Sequence, residues 1–357
     1  MRDREGFRRS VVGRGAAGNP KNRFEKIEVE PDPAEQGAEE PRPETVYFRD
    51  FSRSIVARND SPDISFDASI NPYRGCSHGC SYCYARPTHE YLGLSAGLDF
   101  ESRILVKEDA PELLRKQLSS PRWKPQVLSM SGVTDPYQPV EKKLRLTRRC
   151  LEVLAELRNP VAIVTKNHLV TRDIDLLSEL AQHNAAAVAV SLTTLDDDLR
   201  RVMEPRTARP TRRLAAIEKL AEAGVPVGVM TAPLIPGLND HELPDLISTA
   251  AEAGAGFAAY TPVRLPRAVR PLFEDWLVRH YPERKDKVLN RIRSMRGGKL
   301  NDSRFGSRIR GEGFFAEHIT QLFSLSCRRA GIEGERFPRL STAAFRTTGE
   351  PQPNLFD

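Results

Sequence analysis

Residues 146–194, LTRRCLEVLAELRNPVAIVTKNHLVTRDIDLLSELAQHNAAAVAVSLTT, hold two helix–strand alternations in one unbroken run. Leu146–Asn159 sets its apolar side chains at helical spacing, and Pro160–Lys166 follows as a short apolar strand. Arg172–Asn184 and Ala186–Thr194 repeat the pair. The alternation extends on both sides. PQVLSMSG (Pro125–Gly132) reads as a buried strand before it. After it, a helix at Arg209–Gly224 ends on glycine, as helices often do, and leads to a strand at Val225–Pro233. A helix at Asp240–Gly254 then leads to a strand at Ala255–Val263. With a first strand at Ser65–Ile70, the chain holds about six βα units. Such repeats build a parallel sheet with right-handed crossovers. Six units, rather than the eight of a closed barrel, give an α/β fold of the partial (βα)6 TIM type.

In these folds chemistry sits in the loops after the carboxyl ends of the strands. Polar residues gather there: Ser131–Glu141, then Lys166, Asn167 and His168, then Ser191, Thr193 and Thr194, then Leu234–Asp240. The loop after the first strand is NPYRGCSHGCSYCYA (Asn71–Ala85), with three of the chain's five cysteines. Three thiolates are soft ligands. With His78 or His89 as a fourth ligand they make a Cys3His zinc site. Alone they hold an iron–sulfur cluster with one iron open. Zinc sites usually pair CxxC knuckles from two places, so a single compact triad favours the cluster while leaving zinc open. Cys150 and Cys327 lie in helical stretches and read as packing cysteines.

The 357 residues are 39% hydrophobic and 29% charged, enough for a proper core. Clustered thiols point to metal binding in a reducing cytosol rather than to a disulfide framework. No secretory signal and no run of 18 apolar residues is found, so the expectation is a cytoplasmic protein without a membrane partner. The net charge of +6 is compatible with a polyanionic partner. The expected organisation is a disordered leader over 1–45, the barrel over 46–265, a helical basic annex over 266–335 and a flexible tail over 336–357. Arg264–Gly313 is dense in Arg and Lys, with Trp276, Tyr281 and Phe305 between them. It can present phosphates with a basic face and bases with stacking rings, or simply close the barrel.

The triad Cys76-x3-Cys80-x2-Cys83, with Tyr82 before the last cysteine, resembles the CxxxCxΦC signature of radical S-adenosylmethionine (radical SAM) enzymes. SGVTDP, SLTT and PLIPGLND follow in the family's order. NPYRGCSHGCSYCYAR, TDPYQPVE, VTKN and IPGLND are most similar to the spore photoproduct lyase-like, or DNA repair photolyase-like, branch. The resemblance covers roughly residues 50–265. It implies a 4Fe–4S cluster on Cys76, Cys80 and Cys83, whose open iron chelates S-adenosylmethionine. One electron, from a flavodoxin or ferredoxin type donor, would generate a 5′-deoxyadenosyl radical that takes hydrogen from a substrate. The same resemblance places Ser131, Thr134 and Asp135 at the methionine amino group. It places Lys166 at the methionine carboxylate, Ser191 at the carboxylate or ribose, and Leu234 and Ile235 at the adenine. Glu204, Arg206 and Arg213 would form either an ion-pair network near the cofactor or a solvated helix face.

One feature departs from photoproduct lyases: SMSGVTD carries no hydrogen-donating cysteine, and Gly132 or Val133 stands in its place. The expectation is therefore a radical enzyme acting on nucleic acid, in repair or modification, without a commitment to the lyase reaction. A radical enzyme for a protein or small molecule, and a non-enzymatic metal-stabilised nucleic-acid-binding protein, are the alternatives. In the tail, Gln352, Leu355 and Phe356 resemble a peptide that docks on the sliding clamp.

Overall fold

The computed structural model describes residues 10–25, 43–64, 66–334 and 337–347. Its strands are β1 (Val46–Arg49), β2 (Val56–Arg58), β3 (Ala68–Ile70), β4 (Tyr73–Arg74), β5 (Arg103–Val106) and β6 (Leu128–Met130). Then come β7 (Val161–Thr165), β8 (Ala186–Ser191), β9 (Val227–Leu234), β10 (Phe257–Pro262) and β11 (Glu333–Gly334). The main sheet runs β11-β10-β9-β8-β7-β6-β3-β2, parallel throughout except for β2 at the edge. The six strands read from the sequence are β3 and β6–β10. Each is short, apolar and rich in small or β-branched side chains. Such runs suit parallel strands covered on both faces, and all six residues of β8 are buried. Helices Leu146–Leu157, Ile174–Gln182, Pro210–Glu222 and Leu243–Glu252 connect successive strands and put their apolar faces into one core. A small second sheet, β1-β5-β4, flanks the cysteine loop.

Three expected boundaries depart from the structure: those of the annex, the leader and the tail, whose described part at 337–347 is docked, with the Ser341 and Arg346 N–H groups donating to the Asn184 and Leu157 carbonyls and Phe345 packed on the main core. Helix Phe314–Ala330 is not part of a separate annex. It buries Ala316, Ile319, Phe323 and Cys327 in the main core and leads into β11, which pairs with β10. It is the crossover helix of one more βα unit. Helices Val269–His280 and Lys285–Ser294 form a second apolar cluster, centred on Phe273 and Trp276 and including Cys80, Tyr82 and Ile235. That part of the annex buttresses the cysteine loop.

The leader also departs from expectation over residues 10–25. Arg14 donates to the Glu101 carbonyl (2.6 Å), and the Gly15 and Ala16 N–H groups donate to its carboxylate (3.0 and 2.8 Å). A Cβ at Gly15 would meet the Gly79 carbonyl oxygen at 1.8 Å, so only glycine lets the strap lie on the cysteine loop. The composition argument missed this because a buried carboxylate, not apolar area, anchors the segment. Gln352, Leu355 and Phe356 lie outside the described residues. Among the described residues no helix is long and apolar enough to cross a membrane.

Candidate active site at the cysteine loop

Cys76 and Cys80 are buried and Cys83 is partly exposed, all in the loop that follows β3 and β4. The loop is held from beneath. Arg86, fully buried, donates twice to the Cys80 carbonyl (3.1 and 2.8 Å) and to the carbonyls of Ala96 and Gly97. It also pairs with buried Glu101. Every guanidinium nitrogen is thereby used, and the charge is compensated, as burial requires. From above, Gln138 accepts from the Ser77 N–H (3.1 Å) and donates to the Gly75 carbonyl (3.3 Å), while Thr134 donates to the same carbonyl (2.6 Å). Gln138 was not singled out from sequence. Its place in the TDPYQP turn after β6 was the available signal.

Asp135 does not present a free carboxylate. It accepts from Thr165 (2.7 Å), from the backbone N–H groups of Lys166 (2.8 Å) and Tyr137 (2.9 Å), and faces His78 at 3.3 Å. Burial opposes charge there, yet His78 and these donors hold the carboxyl below its ordinary range. Burial likewise opposes the His78 cation, but Asp135 and Cys76 raise it to about 10. His78 is thus a partner of Asp135, and His89 meets the Arg103 carbonyl at 2.8 Å. Neither stands as a fourth zinc ligand. Among the described residues no three His, Cys, Asp or Glu groups meet closely enough to hold one metal ion.

Lys166, at the end of β7, donates to Ser191 at the end of β8 (2.5 Å) and to the Ala232 carbonyl (3.3 Å). Its ammonium lies 5.9 Å from the Tyr82 ring centre, so it faces the cysteine loop. Ser131 is half-exposed beside Gly132, whose φ of +103° and open flank leave room for a ligand. Leu234 and Ile235 are fully buried, one in each apolar cluster. Their side chains therefore form the floor of that turn. The half-exposed residues beside them are Ala232 and Pro233 at the end of β9 and Gly237 and Asp240 in the turn. Asn239, also buried, fixes the turn by accepting from Ile235 N–H (2.6 Å) and donating to the Thr193 carbonyl (2.7 Å). Of the expected ion-pair network, Glu204 and Arg213 pair in the core, whereas Arg206 reaches outward to the Gly13 carbonyl and Thr45.

The donor set fits an anionic cluster. Burial pushes the Cys80 thiol well above its ordinary range, although Lys166 pulls it down. Burial raises Cys83 to about 11 against the pull of Arg86 and Lys166. Without metal these thiols keep their protons, and a metal centre must displace them on binding. Arg86 and Lys166 supply the positive surroundings that thiolates need.

Fold and site together define an open α/β barrel whose thiol triad faces a lysine at the carboxyl ends of the strands. The Radical SAM superfamily model matches residues 70–250, just over half of the chain. The chain therefore belongs to the radical SAM superfamily, enzymes that use a 4Fe–4S cluster and S-adenosylmethionine. An uncharacterised protein of Mycobacterium tuberculosis is 39% identical over 222 residues, 62% of this chain and 65% of its own length. The match thus spans less than two thirds of that relative. A Pseudomonas phage M6 protein, named Radical SAM Nalpha-GlyT isomerase, is 27% identical over 203 residues, 56% of this chain and 40% of its own. Spore photoproduct lyase complexed with dinucleoside spore photoproduct shares the fold, with a TM-score of 0.58 over 82% of each chain at 17% identity.

Proposed function

We propose that the chain is a radical SAM enzyme whose substrate is a nucleic acid. The observation that carries the enzymatic part is the convergence of Cys76, Cys80 and Cys83 with Lys166 and Ser191 at one end of the barrel. The three cysteines would hold the cluster. Lys166 and Ser191 would take the carboxylate and ribose of S-adenosylmethionine, with the ammonium acting as a point charge. The Ser131–Gly132 edge would receive the amino end, while Thr134 and Asp135 keep that turn in place. Leu234 and Ile235 would support the turn on which the adenine lies. Bound together, cluster and S-adenosylmethionine supply a carbon-centred radical for hydrogen abstraction. The chain's own part is to position the reactants and to exclude water.

The substrate class rests on the rim. Tyr84, next to Cys83 and half exposed, lies under the Arg264 guanidinium at 5.6 Å. Exposed Phe305 lies under Arg308 at 4.6 Å. Arg296 donates to the carbonyls of both Val263 and Arg308, which puts the chain at Arg264 and at Arg308 side by side. Open aromatic faces stack bases and guanidinium groups meet phosphates. Asp63 neutralises Arg308, so Arg264 is the stronger phosphate partner. Spore photoproduct lyase, which shares the fold, is found complexed with dinucleoside spore photoproduct.

The experiment is fluorescence-anisotropy binding of single-stranded oligonucleotides across a salt series. Tyr84→Ala together with Phe305→Ala should weaken binding about tenfold or more, since a stacked base contributes about 1–3 kcal/mol. Affinity indifferent to salt and to both substitutions would remove the nucleic-acid assignment.

A further inference from the structure

The turn at residues 203–208, MEPRTA, lies between the cysteine loop and the end of β7. Its backbone bonds to both. The Ser81 N–H donates to the Met203 carbonyl (3.0 Å) and the Arg206 N–H to the His78 carbonyl (3.2 Å). The Ala208 N–H donates to the Lys166 carbonyl (3.3 Å). At its centre stands Glu204, fully buried and so far described only as the partner of Arg213.

The two oxygens of Glu204 are divided. One accepts from the Tyr82 hydroxyl and from Thr193 (2.9 Å). The other pairs with Arg213, which is itself buried and also donates to Thr207 (2.5 Å). Lys166 lies 3.7 Å from the first oxygen, close enough for charge attraction but too far for a hydrogen bond. An ammonium has three donors. Two go to Ser191 and the Ala232 carbonyl. Because hydroxyls already fill the near oxygen of Glu204, the third donor is not captured there.

We propose that Glu204 is a positioning residue that aims the Lys166 ammonium at an incoming carboxylate and, through the Tyr82 hydroxyl, keeps the cysteine loop in register with it. This rests on the reading of Lys166 as the carboxylate clamp for S-adenosylmethionine. The arrangement leaves one donor of the ammonium free and ties its position to the residue lying between two cluster cysteines. A neutral residue at 204 gives up the attraction. A Phe at 82 gives up only the tie to the loop. Arg213 balances the carboxylate from behind, so Glu204 stays ionised without drawing Lys166 into contact.

The test uses full-length protein, anaerobically reconstituted, with iron content measured for each variant. S-adenosylmethionine affinity is read by equilibrium binding, and the electron paramagnetic resonance spectrum of the reduced cluster is recorded before and after addition. Glu204→Gln keeps the shape and loses the charge. It should raise the Kd about tenfold, about 1.4 kcal/mol, at unchanged iron content. Tyr82→Phe should raise it about fivefold, the loss of one hydrogen bond. It should also broaden the spectral change that S-adenosylmethionine produces. Tyr82→Phe leaves the Glu204–Arg213 pair intact, so it decides the matter even where Glu204→Gln fails to fold. Wild-type affinity and spectra in Tyr82→Phe and in any folded Glu204→Gln, with only thermal stability lowered, would overturn the proposal and leave Glu204 as core structure. Failure of the wild type to bind S-adenosylmethionine would overturn the clamp reading itself, and the proposal with it.

Discussion

The cysteine loop at 71–85 and the arginine-rich stretch at 264–313 both stand out in sequence as a local excess of one residue type. Their excess groups do opposite things. The loop's thiols lie in one loop at the barrel mouth, and its backbone is held by Arg86, Gln138 and Thr134. Much of the arginine excess is directed inward. Arg296 is 3% exposed and donates to the carbonyls of Val263, Ser307 and Arg308. Arg291 pairs with Asp240. A guanidinium has five donors, so it can serve as a knot for loop carbonyls as readily as a phosphate contact. Counting charges along the chain cannot separate the two uses. Thiols in one short loop have fewer alternatives.

The largest effect that would sharpen this contrast is expected at Arg296. Arg296→Glu sets a carboxylate against three carbonyls in the core and should prevent folding or cost about 3–5 kcal/mol. Arg293→Glu, on the same helix end but partly exposed and with its guanidinium donating to Asn290, should change stability by about 0.5 kcal/mol or less. Urea unfolding of the two variants reads the difference. Equal stability would break the contrast.

Next comes Glu101. Glu101→Ala leaves Arg86 buried without its counter-charge and releases the strap at residues 14–16. A cost of about 3–5 kcal/mol is expected in urea unfolding, with a parallel fall in iron incorporated. Normal iron content in the variant would separate the strap from the cysteine loop.

A smaller effect follows from pH. Burial opposes the Glu204 charge, but Arg213 and Lys166 hold its pKa at about 2, against an ordinary value of 4.5. The folded value is the lower one. Its contribution is therefore fully present above about pH 4.5 and is lost as pH falls through 2. The amount is on the order of 3 kcal/mol. Acid unfolding of the wild type should steepen in that window, and Glu204→Gln should flatten the curve. Identical curves would place the acid sensitivity elsewhere.

The barrel was legible because parallel strands covered on both faces must be short apolar runs, and crossover helices must show one apolar stripe. The cysteine triad was legible because metal ligation needs few residue types at tight spacing. Gln138 and Arg86 were not, since their roles come from partners 61 and 15 residues away. No local pattern marks such a contact. The strap was hidden for a related reason. GRGAAGN reads as a segment too polar to fold, but its glycines allow close approach and its N–H groups find a buried carboxylate. Helix Phe314–Ala330 reads as a helix but not as a crossover, because the three helices and the loops inserted after β10 obscure its role.

The central claim is that Cys76, Cys80 and Cys83 hold a 4Fe–4S cluster that reductively cleaves S-adenosylmethionine. The direct measurement is anaerobic reconstitution with iron and sulfide, followed by dithionite reduction and chromatographic assay for 5′-deoxyadenosine. The wild type should carry about four irons per chain and form 5′-deoxyadenosine, and Cys80→Ala should do neither. A wild-type protein that takes up one zinc and no iron under strict anaerobiosis, and forms no 5′-deoxyadenosine, would contradict the account.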